Sequence, residues 1–126
     1  MENNTIKILL IEDDSFLLNM YNTKFELEGF SVVTANDGEK GSKLALTEEP
    51  NIILLDIILP KKDGFEVLED LKANDKTKNI PVILLTNLSQ KNEVEKGLKL
   101  GAVDYLIKAH FMPSEIVTKI KNIVGK

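Results

Sequence analysis

Apolar residues fall in five short continuous runs, and between the runs they recur at helical spacing. The first run, Ile6 to Ile11 (IKILLI), is rich in β-formers and stops at the acidic Glu12-Asp13-Asp14. Such a run predicts a strand buried on both faces, as in a parallel sheet covered by helices. Beyond it, Leu17, Leu18, Tyr21 and Phe25 fall at i, i+1, i+4 and i+8, one side of a helix, with Asp14 or Ser15 suited to its start and Gly29 to its end. The unit then repeats. Phe30 to Ala35 reads as a strand and Gly38 to Thr47 as a helix closed by Pro50. Ile52 to Asp56 is the third strand, and Gly64 to Ala73, apolar at 65, 67, 68 and 71, the third helix. Pro81 to Thr86 is a strand, and Asn92 to Leu100 a helix with Gly101 just past it. Val103 to Ile107 is the last strand, and Pro113 to Val124 a helix with Ile116, Ile120, Ile123 and Val124 on one side and Pro in its first turn.

Alternating βα units of this length imply an α/β fold: one doubly wound parallel sheet of five strands, right-handed crossovers, and helices on both faces. No linker or low-complexity tract divides the chain, so residues 1–126 are expected to form one domain. Composition narrows the function. Hydrophobic residues make up 43% and charged residues 29% of the 126, an ordinary globular balance. A net charge of −4 argues against direct nucleic-acid contact or an anionic-membrane surface. The absence of cysteine excludes disulfides and thiolate metal sites. The opening MENNTIKILL has no secretory pattern, and no apolar run approaches the ~20 residues of a membrane span, so a cytoplasmic location is expected.

In an open parallel sheet, function gathers at the carboxyl ends of the strands. Four of the five apolar strands end there in chemistry: Glu12-Asp13-Asp14, Asp56, Thr86 and, just past the fifth, Lys108. Strand two ends in Ala35-Asn36-Asp37, which reads as turn chemistry. Asp56 is the pointed case, one carboxylate inside IILLDIILP, where an unpaired buried charge would be costly. Like charges ~4 Å apart cost about 4 kcal/mol at an effective dielectric of about 20, which a hard divalent cation with oxygen ligands relieves. Mg²⁺ typically takes one or two carboxylates and completes its shell with water and phosphate oxygens. Lys108 and Thr86 then supply a point charge and a hydroxyl for a phosphoryl group, and Asp56, central and alone on its strand, is the best nucleophile for an acyl phosphate.

LLIEDD, LLDIILPKKDG, PVILLTN and GAVDYLIK together resemble the receiver domain of two-component response regulators, of the CheY-like single-domain type, over essentially the whole chain. The resemblance implies a flavodoxin-like strand order 2-1-3-4-5. It implies that Asp56 is phosphorylated by a sensor histidine kinase or histidine phosphotransfer protein. Asp13, Asp56 and the Ile58 backbone carbonyl would bind Mg²⁺ directly, with Glu12 acting through water. Lys108 would pair with the phosphoryl group, Thr86 would swing towards it, and Tyr105 would move inward as the aromatic member of the switch. The face formed by helix 4, strand 5 and helix 5 would then change to control a downstream protein target. Such a domain is a phosphoacceptor rather than an enzyme acting on other substrates. Asp14 matches a variable position and is read as a helix cap.

The chain departs from the family pattern in several places. Ala109 follows Lys108 where the family usually has Pro and a cis bond, which a non-proline residue adopts only at ~2.5–4 kcal/mol. Asn87 stands where a small residue is usual, and Ile58 and Leu88 occupy positions that can orient hydrolytic water. Slow self-dephosphorylation is therefore expected. His110, the only histidine, reads as a loop residue, Phe111 and Met112 as packing under the last helix, and Lys61-Lys62 as a solvated turn. The competing readings are a phosphorylation-independent adaptor of the same fold, against which Asp13, Asp56, Thr86 and Lys108 argue, and an aspartyl phosphatase, which needs a second Asp where Ile58 stands. A flavin carrier is disfavoured because acidic strand ends would repel its phosphate.

Overall fold

The computed structural model describes residues 5–86, 91–108 and 113–124. The strands are β1 (Lys7–Ile11), β2 (Ser31–Ala35), β3 (Ile52–Asp56), β4 (Val82–Thr86) and β5 (Asp104–Ile107). The helices are α1 (Ser15–Leu27), α2 (Gly38–Glu48), α3 (Gly64–Ala73), α4 (Lys91–Lys99) and α5 (Pro113–Val124). The strands form one sheet in the order β2-β1-β3-β4-β5, all neighbours parallel. Both the expected class and the expected order are observed. The order reverses between β1 and β3, which opens a crevice at their carboxyl ends.

Period-two alternation divides the apolar runs between two cores. Leu9, Ile11, Ile53, Leu55, Val82 and Leu84 pack against Ala45 of α2 and Val67, Leu68 and Leu71 of α3. Ile8, Leu10, Ile52, Leu54, Ile83 and Leu85 face the other way, onto Tyr21 and Phe25 of α1 and Ile116 and Ile120 of α5. All five residues of β3 and of β4 are buried, which is why those runs carry no polar alternation. Each fully buried Leu or Ile contributes about 1.5–3 kcal/mol relative to exposure. β5 lies at the edge of the sheet and does alternate, with Leu106 buried and Tyr105 exposed.

Local signals set the element ends. Asp14 caps α1, Asp37 caps α2, and Asp63 forms a reciprocal capping box with Glu66 at the start of α3. Gly29 (φ 92°) and Gly101 (φ 117°) take the left-handed conformation just beyond α1 and α4. At the end of α2 that conformation falls on Glu49 (φ 49°), immediately before Pro50. Lys61 also has positive φ (70°), and Lys62 is not simply solvated: it pairs with Asp70 of α3 and so fastens the turn after β3.

Candidate functional site

β1 delivers the first acids. The Glu12 N–H donates to the Ala35 carbonyl (3.0 Å), extending the β1–β2 ladder by one residue. Its side chain is fully buried, whereas Asp13 and Asp14 are exposed at the turn into α1. The Asp14 N–H donates to Glu12 Oε2 (3.0 Å), and Asp14 Oδ1 accepts from the N–H groups of Phe16 (2.9 Å) and Leu17 (3.2 Å).

β3 delivers Asp56, 5% exposed at its last residue. Asp56 Oδ1 accepts a long hydrogen bond from the Ile58 N–H (3.4 Å), and Oδ2 accepts from Lys108 Nζ (2.8 Å). The same ammonium lies 3.0 Å from Glu12 Oε1, so one cation bridges two buried acids. That second contact is a charge pair without hydrogen-bond alignment, because Oε1 has no hydrogen-bond partner among the described residues. Gly64 lets the turn after β3 close: its N–H donates to the Ile57 carbonyl (2.7 Å), and a Cβ there would collide with the Asp56 carbonyl.

One carboxylate oxygen each from Glu12, Asp13 and Asp56 lies within 4.8 Å of the others. They border a cavity of about 550 Å³ that Ile58 and Lys108 also line. Burial first, and then the neighbouring Asp56 charge, push the Glu12 carboxyl up to about 7. Burial alone would lower Lys108, but its hydrogen bond to Asp56 and the surrounding negative charge raise it overall. Tyr21 beneath the site is pushed up to about 12 by burial and then by Glu12 and Asp56. With all groups ionised, three carboxylates against one ammonium leave two uncompensated negative charges, the charge of one divalent cation. The donors are all hard oxygens, and Glu12 Oε1 has unused acceptor capacity, so the residues present fit Mg²⁺.

Thr86 ends β4, 1% exposed, with Lys108 N–H donating to its carbonyl (2.8 Å). Its side chain does not line the cavity, whereas Glu12, Asp13, Asp56 and Lys108 do. Tyr105 lies on β5, 40% exposed, and is not among the residues lining the cavity. Ile58 borders the cavity with its side chain 58% exposed. Asn87, Leu88, Ala109, His110, Phe111 and Met112 lie outside the described residues, and with them the Lys108–Ala109 bond. Sequence reasoning missed the Asp14 N–H bond to Glu12 and the closure at Gly64; only the Asp63-Gly64 pair hinted at the second.

The fold and this acidic crevice define a receiver-type module, and comparison with known proteins agrees. The family model "Response regulator receiver domain" matches residues 8–121, and the chain belongs to that family. The DNA-binding dual master transcriptional regulator RpaA of Synechocystis is 37% identical over 120 residues, 95% of this chain and 49% of that protein. This chain thus spans about half the length of the curated relatives it matches. The receiver domain of Francisella response regulator 1452 is 32% identical, with a TM-score of 0.85 over 95% of this chain and 96% of that one. The receiver domain of a Pseudomonas aeruginosa sensor histidine kinase is 26% identical, with a TM-score of 0.88 over 97% of this chain and 99% of that one; its structure holds a magnesium ion in the active-site cleft. Receiver domains are signalling domains. Among the described residues, no helix is long and apolar enough to cross a membrane.

Proposed function

We propose that residues 1–126 form one receiver domain in which Asp56 is the phosphoacceptor of a two-component pathway. The observation that carries this reading is Lys108 Nζ bridging Asp56 and Glu12 beside Asp13, in an open cavity at the sheet's switch point. The phosphodonor is a phosphohistidine on a sensor kinase or histidine phosphotransfer protein. An Asp56 carboxylate oxygen attacks phosphorus, the P–N bond breaks, and the imidazole leaves with a proton. Asp13, Asp56 and the Ile58 carbonyl would hold Mg²⁺, with Glu12 supporting it through water. When bound, the ion neutralises charge on the transferring phosphoryl oxygens. Lys108 needs no large movement to meet the new group, since it already touches Asp56 Oδ2 at 2.8 Å.

Phosphorylation gives Asp56 additional negative charge and new acceptor oxygens. Lys108 can then exchange its carboxylate partners for phosphoryl oxygen, and the Thr86 hydroxyl turns towards the same group. Tyr105, exposed on β5, turns inward into the space that Thr86 vacates, and the α4–β5–α5 face presents a changed surface to a downstream protein. The acidic net charge of −4 supports a protein partner rather than nucleic acid for this domain. RpaA, by name a DNA-binding regulator, suggests one kind of output to which such a domain is joined. Intact-mass spectrometry after incubation with acetyl phosphate and Mg²⁺ tests the reading. Wild type should gain one phosphoryl group and Asp56→Asn none; equal labelling of both would refute it.

A further inference from the structure

We propose that Asp14 is a positioning residue for the metal site, acting through the turn it fixes and not through its charge. The inference rests on the cation reading given above. Residue 14 is anchored to α1 by its side chain, whose Oδ1 accepts from Phe16 N–H (2.9 Å) and Leu17 N–H (3.2 Å), and by its carbonyl, which accepts from Leu18 N–H (2.9 Å). Residue 12 is anchored to the sheet through Ala35 (3.0 Å). Asp13, which contributes an oxygen to the acidic group, therefore hangs between two fixed neighbours.

The same anchoring holds the Asp14 N–H on Glu12 Oε2 (3.0 Å). With Oε2 engaged, Oε1 is the oxygen left beside Lys108. A buried carboxylate without that bond could rotate and present either oxygen or neither. Asp14 borders the cavity but contributes no oxygen to the acidic group, and its Oδ1 is already occupied by two helix N–H groups. Adjacent acids would thus divide the work: Glu12 would support the cation, Asp13 would ligate it, and Asp14 would set the orientation of both. What position 14 requires is an N-cap acceptor, which Asn supplies as well as Asp. A partner that orients a metal-supporting carboxylate typically changes metal affinity by an order of magnitude or more.

The experiment is a Mg²⁺ titration of the 126-residue chain as wild type, Asp14→Asn and Asp14→Ala, followed by backbone amide NMR shifts. It is paired with hydrogen exchange at the position-14 amide in magnesium-free protein. Asp14→Ala should bind Mg²⁺ roughly tenfold more weakly and exchange that amide faster. Asp14→Asn, which keeps the cap and loses the charge, should stay within about threefold of wild type in both readouts. Wild-type affinity in Asp14→Ala overturns the proposal. So does equal weakening in Asp14→Asn and Asp14→Ala, which would assign the effect to charge. If Asp14→Ala does not fold, the Asn variant alone decides, since its tenfold weakening would overturn the proposal. A wild-type protein that does not respond to Mg²⁺ overturns the metal reading itself and this inference with it, an outcome distinct from responsive but indifferent variants.

Discussion

The Lys108 N–H donates to the Thr86 carbonyl at 2.8 Å, so the ends of β4 and β5 are joined directly. The two groups expected to sense a phosphoryl group are thereby tied through backbone as well as through a shared target. Thr86→Ala should therefore leave phosphoryl acceptance within about threefold, because Asp56 and Lys108 keep their contact, but should weaken the response of the output face. Hydrogen exchange over residues 91–108 with and without phosphorylation checks this. An undiminished response in Thr86→Ala would count against the hydroxyl as part of the switch.

Lys108 is the cation that the buried Glu12 and Asp56 share, with its side chain only 14% exposed. Removing one member of a buried charge cluster typically costs about 3–5 kcal/mol, because the remaining charges stay desolvated. Lys108→Ala should be destabilised by that order in magnesium-free buffer, and Mg²⁺ should restore much of the loss. Urea unfolding with and without the ion measures both effects.

Glu12 gives a pH prediction with a definite sign. Its folded-state value is raised from 4.5 to about 7, so its contribution to stability is fully present below 4.5 and is lost as pH rises through about 7. In magnesium-free buffer, Glu12→Gln should gain roughly 3 kcal/mol relative to wild type between pH 4.5 and pH 8. Parallel chemical denaturation of both proteins across that range tests it. A flat difference would mean that Glu12 titrates normally.

Ile58 borders the cavity and has no side-chain group that can align a water. Phosphorylated protein should therefore lose its phosphoryl group over minutes or longer, and Ile58→Asn should shorten that lifetime severalfold by supplying a hydrogen-bonding side chain. Loss of the intact-mass adduct with time gives the rate. A wild-type lifetime of seconds would contradict the expectation.

Much of this architecture was legible in the sequence because a sheet buried on both faces must be written in apolar runs. β3, α3 and α5 match their sequence boundaries residue for residue. The other strands start one residue later, and at two of them the physical reason is visible. Phe30 gives its N–H to the Phe25 carbonyl at the end of α1, and Pro81 has no N–H to give. The acids, Thr86 and Lys108 were legible because parallel strands bring their carboxyl ends to one edge. The bridging by Lys108 and the engagement of Glu12 by the Asp14 N–H were not, since they depend on side-chain rotamers and turn geometry that residue type does not specify. Nor did residue type mark Glu49 or Lys61 as left-handed positions, because neither is Gly, Asn or Asp.

The most direct test of the central claim is a crystal structure with Mg²⁺ and beryllofluoride. The account predicts beryllium joined to Asp56, the ion held by Asp13 and Asp56, and Lys108 and Thr86 both within hydrogen-bond distance of fluoride. Asp56 free of beryllium and still paired with Lys108, with no ion among the three carboxylates, would contradict it.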